Sequence, residues 1–168
     1  MKKLILATVL VINVVIFSSC EEKQIDSQKP AINLKTPAED ELIKPGTEIH
    51  FDAMLTDDLA LRSYKINIHA SFDGHTHSAG TRAVTDSVAF EKTWTEADFI
   101  KLGDEAIFGK KEVNLYHHHM TIPAEIGGKP LKEGHYHFII YCTDEAGNES
   151  FLAREIEISY NAEEHLPH

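Results

Sequence analysis

Residues 134–148 read GHYHFIIYCTDEAGN, and this stretch decides the fold. Its alternate positions are apolar: Tyr136, Phe138, Ile140 and Cys142. A period of two is typical of a β-strand with one buried face, and the Asp, Gly and Asn that follow predict a turn. We therefore expect a strand over residues 134–142, whose opposite face carries His135 and His137.

Other segments with the same alternation lie on both sides of this strand. They are found near residues 32–34, 48–55, 64–68, 113–122 and 151–160. The middle of the chain is less regular, with a weak strand over 83–94 and a short helical turn over 95–102 that Thr95 caps. Short strands separated by turn residues favour an antiparallel β-sandwich.

Three motifs resemble known domains. They are Gly134-x-Tyr136-x-Phe138 followed by Asp144-x-x-Gly147-Asn148; Asp57-Asp58-Leu59 leading into the strand at Tyr64; and Phe72-Asp73-Gly74-His75-Thr76-His77. The first two resemble bacterial immunoglobulin-like and cadherin-like domains. With the third, they resemble a family of small immunoglobulin-like lipoproteins known as domain of unknown function 4625. The resemblance implies an all-β, immunoglobulin-like or cadherin-like antiparallel β-sandwich, and it implies no activity.

The N-terminal segment predicts a secreted lipoprotein. Lys2 and Lys3 precede an apolar run over residues 4–17, which is short for a membrane span and fits a signal peptide. The run ends in Phe-Ser-Ser followed by Cys20, which resembles the lipobox of bacterial lipoproteins. We expect acyl chains on Cys20 to anchor the protein to a membrane.

These features predict the domain organisation. We expect a signal peptide over residues 1–19, a lipidated tether over 20–30, the β-sandwich over 31–160 and a C-terminal tail over 161–168. Glu21 and Glu22 directly after the lipidation site resemble a surface-export signal. The expected location is therefore the outer membrane, on the cell surface or the periplasmic face.

Composition narrows the partners and the chemistry. The formal net charge is −11, which disfavours nucleic acid and favours cations. Cys142 is the only cysteine besides Cys20, so a lipidated chain has no internal disulfide. Its position among the inward residues predicts that Cys142 takes no part in binding. The core alone must then stabilise the domain.

Most of the eleven histidines fall into short clusters, which points to a metal site. Residues two apart on a strand share a face, so His135 and His137 point the same way. In an immunoglobulin-like sandwich their strand neighbours the one that carries His69, and facing side chains lie about 4.5–5.5 Å apart at Cβ. A loop with two more histidines follows. The predicted ligands are His69, His75, His77, His135 and His137.

A second candidate cluster is the run of histidines at 117–119. If Ile122 faces inward, strand alternation turns Met120, His118 and Tyr116 inward as well and leaves His117 and His119 outward. This strand belongs to the opposite sheet in the expected topology. His117 and His119 therefore form a separate site or none.

The residue types favour Zn²⁺, with Cu²⁺ or Ni²⁺ as alternatives, because imidazole dominates and no thiolate is available. Metalloprotease, nucleophile-elbow and phosphate-loop motifs are absent from the sequence, so we do not expect an enzyme. The leading expectation is a metal-binding envelope lipoprotein. The alternatives are a non-catalytic adhesive module, with an outer-membrane protein as partner, and a metallohydrolase.

Overall fold

The computed structural model describes residues 26–71 and 86–163. Within these ranges it contains ten strands and one short helix. In chain order they are β1 Ala31–Thr36, β2 Glu41–Ile43, β3 Glu48–Thr56, β4 Leu61–Ala70, β5 Glu91–Thr95, α1 Glu96–Lys101, β6 Glu112–Thr121, β7 Glu125–Ile126, β8 Lys129–Pro130, β9 Gly134–Asp144 and β10 Glu149–Ile158.

Two sheets form a sandwich. One has the order β1-β3-β6 and the other the order β2-β10-β9-β4-β5, while β7 and β8 form a small separate hairpin. Neighbouring strands are antiparallel except β2 and β10, which run parallel. The predicted all-β, immunoglobulin-like sandwich is confirmed. So is the prediction that β4 neighbours β9 while β6 lies in the opposite sheet.

The core follows the predicted alternation in the two central strands. β9 buries Tyr136, Phe138, Ile140 and Cys142, and β4 buries Ile66 and Ile68. Every residue of the main apolar cluster lies between Leu34 and Ile158. A chain that begins at Glu21 therefore keeps every described residue of this cluster, and we expect burial of this apolar area to drive its folding.

The predicted helical turn is confirmed as α1. The backbone N–H of Thr95 and its hydroxyl both donate to Asp98 Oδ2, at 2.9 and 2.8 Å. These bonds, together with one from Lys101, lower the pKa of Asp98 to about 2. These hydrogen bonds satisfy the Thr95 amide, which has no partner within the helix, and they fix the direction in which the helix begins. Phe99 is consequently held in the core.

The predicted side-chain directions in β6 are partly wrong. Ile122 and Met120 are buried as expected, but Tyr116 is exposed and His117 is buried. The cause is a register shift: two steps along β3, from Ile49 to Phe51, match three steps along β6. One extra residue in a strand is a β-bulge, and it reverses the face of every residue beyond it.

Candidate metal centre

His69 and His137 face each other on the outer side of the larger sheet. They occupy paired positions on β4 and β9, and their rings meet edge to face with centroids 5.3 Å apart. His69 Nε2 and His137 Nδ1 are separated by 3.4 Å. Strand alternation and the pairing of β4 with β9 thus place two imidazole nitrogens side by side, and both rings are half-buried.

Neighbouring polar groups orient the two rings. The Asn67 amide donates to Thr93 Oγ1 at 2.9 Å and to the Lys92 carbonyl, so its oxygen is left to accept from His69 Nδ1. This hydrogen bond puts the proton on Nδ1 and leaves a lone pair on His69 Nε2. On the other ring, His137 Nε2 lies 3.0 Å from the Ser71 hydroxyl. Metal-binding histidines typically have a hydrogen-bond partner of this kind on the ring nitrogen that does not bind the ion.

The spacing of the two nitrogens suits a tetrahedral ion. Two nitrogens bound to Zn²⁺ at its usual bond length and tetrahedral angle lie about 3.3–3.4 Å apart. The separation of His69 Nε2 from His137 Nδ1 is 3.4 Å. Without an ion, the Ser71 hydroxyl can donate to His137 Nε2 while His137 Nδ1–H donates to His69. With an ion, the same two nitrogens offer lone pairs.

Carboxylates flank this pair in the same row across the sheet. Glu91 on β5 is paired with His69, and Glu155 on β10 is paired with His137. Two carboxylates beside two imidazoles favour a bound cation. In the described ranges, no third histidine, cysteine or carboxylate completes a close ligand group with His69 and His137.

His135 belongs to a neighbouring group instead. Its Nδ1 lies 2.9 Å from Glu155 Oε1, and Asp40 adds a carboxylate within 4.8 Å of both residues' ligand atoms. Asp40 has a positive φ of 57° and donates its backbone N–H to the Glu155 carbonyl at 2.8 Å. This left-handed conformation directs the turn before β2 toward the edge of β10.

The five predicted ligands therefore have three different outcomes. His69 and His137 are brought together, and His135 lies on the same face but contacts Glu155. His75 and His77 lie outside the described residues, as does the lipidation position Cys20. Cys142 is buried as predicted, and burial, followed by the charges of Asp57 and Asp144, raises the pKa of its thiol to about 12.

The structure separates the two histidines of the predicted second cluster. His119 is exposed as expected, whereas His117 is only 3% exposed. His117 stacks on Phe99 with ring centroids 3.8 Å apart, and its Nε2 accepts from the Tyr64 hydroxyl at 2.8 Å. Its Nδ1 lies 2.9 Å from Asp104 Oδ2.

These surroundings give His117 a packing role. Burial lowers its pKa, against the opposing effect of Asp104, so the ring is neutral. Burial also raises the pKa of Tyr64. His118, predicted inward, is half-buried and contacts the His50 ring edge to face at 5.1 Å.

Four residues around the candidate centre were not predicted from sequence. They are Asp40, Asn67, Ser71 and Glu155. The outward direction of Glu155 could have been predicted from the sequence, because it alternates with the buried Ile156 on the strand next to β9. The other three depend on a turn conformation and on strand register, which the sequence does not specify.

The fold and this outer face define an all-β, immunoglobulin-like domain with a paired-histidine surface. The chain belongs to the family described as domain of unknown function (DUF4625), whose model matches residues 18–159. A search of curated proteins finds no match. In the part of the chain that the structure describes, no helix has the length and apolar character needed to cross a membrane.

Proposed function

We propose that this protein is a membrane-anchored envelope lipoprotein that binds a transition metal ion, Zn²⁺ in preference to Cu²⁺ or Ni²⁺, through its histidines. The observation that carries the proposal is the 3.4 Å separation of His69 Nε2 and His137 Nδ1. Both rings are already oriented by Asn67 and Ser71, so binding costs little rearrangement.

The further ligands are proposed from the coordination preference of the ion. Two imidazoles leave two positions open on a tetrahedral ion. His75 and His77 follow Ser71 in the chain by four and six residues, and we propose them as the further ligands. Water fills any position that they leave. We propose a capture or buffering role without catalysis.

The anchoring part of the proposal rests on the N-terminal residues. A lipid on Cys20 would hold the domain at the outer membrane, and the segment before Ala31 would separate it from the lipid. Incorporation of a labelled fatty acid into the expressed protein, and its loss in Cys20→Ala, tests the anchor. Equal labelling of both proteins would contradict it.

Competition against a fluorescent zinc chelator tests the metal site. The chain from Glu21 onward is titrated, together with His69→Ala, His137→Ala and the double variant His75→Ala/His77→Ala. Each variant should bind Zn²⁺ at least about a hundredfold more weakly, since losing a ligand costs more than the about 10–100-fold that losing a residue hydrogen-bonded to a ligand costs. His119→Ala, an exposed histidine on the other sheet, is the matched control and should bind as the wild type does.

Unchanged affinity in both His69→Ala and His137→Ala would contradict the proposed centre. The pH dependence provides a second check. Imidazole must be neutral to bind the ion, so affinity should fall as pH drops below about 6.5. Binding that is unchanged at pH 5 would assign the ligands to carboxylates instead.

A second candidate is a non-catalytic interaction module. Several large apolar side chains are exposed near the other end of the same sheet. Phe108 and Phe151 are 64% and 67% exposed, and Phe151 lies beside Tyr141 with ring centroids 6.0 Å apart. Exposed apolar patches mark contact surfaces. This function would be favoured if the protein binds no metal and co-purifies with an outer-membrane protein that Phe108→Ser/Phe151→Ser no longer binds.

A further inference from the structure

Three aspartates meet at the end of the sandwich that is remote from the histidines. Asp26 lies just before β1, and Asp57 and Asp58 lie in the connection from β3 to β4. One carboxylate oxygen from each lies within 4.8 Å of the others. β4 runs from this end toward His69, and eight residues of strand span about 26 Å. The aspartates therefore form a site separate from the histidine pair.

Asp57 is the aspartate of the three whose carboxylate is buried. The residue is only 8% exposed. Oδ1 accepts the backbone N–H groups of Leu59 and Ala60, at 3.0 and 2.8 Å. Oδ2 is buried and has no hydrogen-bond partner among the described residues. Burying a carboxylate oxygen away from water costs free energy unless a cation or a hydrogen-bond donor contacts that oxygen.

The cation is not supplied by a side chain of the described residues. No ion pair there joins Asp26, Asp57 or Asp58 to a lysine or arginine. Lys111 is near, but its ammonium donates to the backbone carbonyl of Asp58 at 2.7 Å. Three carboxylates with one buried free oxygen thus share a small volume.

The surrounding oxygen atoms indicate which ion fits. Three carboxylates, without imidazole or thiolate, are ligands that suit a hard cation such as Ca²⁺. The carbonyls of Asp26 and Gln28 are held at this end by the side-chain amide of Asn148, at 3.3 Å each. Asn148 is itself held by Asp144, through bonds of 2.7 and 2.8 Å. The segment before β1 is therefore already fastened beside the aspartates.

We propose that Asp26, Asp57 and Asp58 bind a calcium ion. The ion meets the free oxygen of Asp57 and joins the segment before β1 to the connection between β3 and β4. Because Asp26 precedes the domain, bound calcium also fixes the direction in which the N-terminal segment leaves the sandwich. This site takes a different ion from the histidine centre and does not depend on it.

Thermal unfolding in the presence of calcium tests the proposal. The chain from Glu21 onward is freed of metal with a chelator and heated at increasing CaCl₂, with KCl of equal ionic strength as the comparison. The Tm should rise and saturate, with a midpoint of about 10⁻⁵–10⁻³ M, and Mg²⁺ should act more weakly. A rise that KCl reproduces in full would overturn the proposal.

Variants locate the ion. Asp57 also accepts two backbone amides of the loop, so the test uses Asp58→Asn and Asp26→Asn. Asp26 Oδ1 accepts the Gln28 backbone N–H at 3.0 Å, and an asparagine at this position can still accept it. Each should shift the calcium midpoint at least about tenfold, and Glu112→Gln, an exposed charge change at the same end, should not. An unchanged midpoint in the double variant Asp26→Asn/Asp58→Asn would overturn the assignment. His69→Ala/His137→Ala should keep the calcium response, whatever its zinc affinity.

Discussion

The hydrogen bond between Tyr64 and His117 should account for a measurable part of the stability of the domain. Both side chains are at most 5% exposed, and the Tyr64 hydroxyl lies 2.8 Å from His117 Nε2. Tyr64→Phe leaves a buried ring nitrogen without its donor, and His117→Phe leaves the Tyr64 hydroxyl without its acceptor. Each should lower the free energy of unfolding by about 1–3 kcal/mol.

The double variant is the decisive part of this prediction. In Tyr64→Phe/His117→Phe neither polar group remains, so no unpaired atom is left between these two rings. Its loss should be smaller than the sum of the two single losses by about 1–2 kcal/mol. Any cost of fitting a larger ring at 117 against Phe99 appears in both the single and the double variant and cancels from the coupling.

Urea unfolding followed by circular dichroism gives the four free energies. The slopes against urea should stay equal, since the exposed area on unfolding is the same. Losses that add to within about 0.5 kcal/mol would show that the two groups are uncoupled. The hydrogen bond from Tyr64 would then not stabilise the domain, and His117 would be held by its stacking on Phe99 and its contact with Asp104.

Three further predictions rest on buried or orienting groups. Burial lowers the pKa of His117 in the folded protein. Below a pH of about 6.5 the imidazole is therefore protonated in the unfolded chain but not in the folded chain. The free energy of unfolding should fall as the pH drops below that value. His117→Phe should remove this part of the slope; identical slopes in urea melts would contradict it. The Cys142 thiol should resist a thiol reagent at pH 8 until urea unfolds the protein, and labelling at equal rates in both states would count against its burial. Asn67→Ala should weaken zinc binding about 10–100-fold by releasing the His69 ring, with Asn114→Ala as an unaffected control, and equal chelator competition by both would refute the orienting role.

Alternation alone predicted the central part of the fold. The inward set of β9 and the outward position of His69 follow from a period of two, and both are seen. The pairing of β4 with β9 followed from the expected topology. Together these placed His69 beside His137, which the register of the two strands now specifies.

The error in β6 has a definite physical cause. Three consecutive histidines have no hydrophobic alternation, so the sequence there cannot reveal an extra residue. The bulge opposite Ile49 and Phe51 shifts the strand by one position and turns His117 into the core. Met120 and Ile122 were predicted correctly because they lie on the near side of that shift.

The candidate centre was only partly predictable for similar reasons. Histidines at i and i+2 are visible in the sequence, but the partner of each depends on the neighbouring strand. His135 contacts Glu155 because β10 lies beside β9, and Asp40 joins them through a left-handed turn. Such contacts arise from register and turn geometry, which local residue patterns do not encode.

Metal content measures the central claim most directly. The chain from Glu21 onward is incubated with Zn²⁺, Cu²⁺ and Ni²⁺ together, dialysed extensively and analysed by plasma mass spectrometry. We expect one equivalent of zinc in the wild type and in His119→Ala, and none in His69→Ala/His137→Ala. A wild-type protein without metal, or a double variant that retains as much as the wild type, would contradict the account.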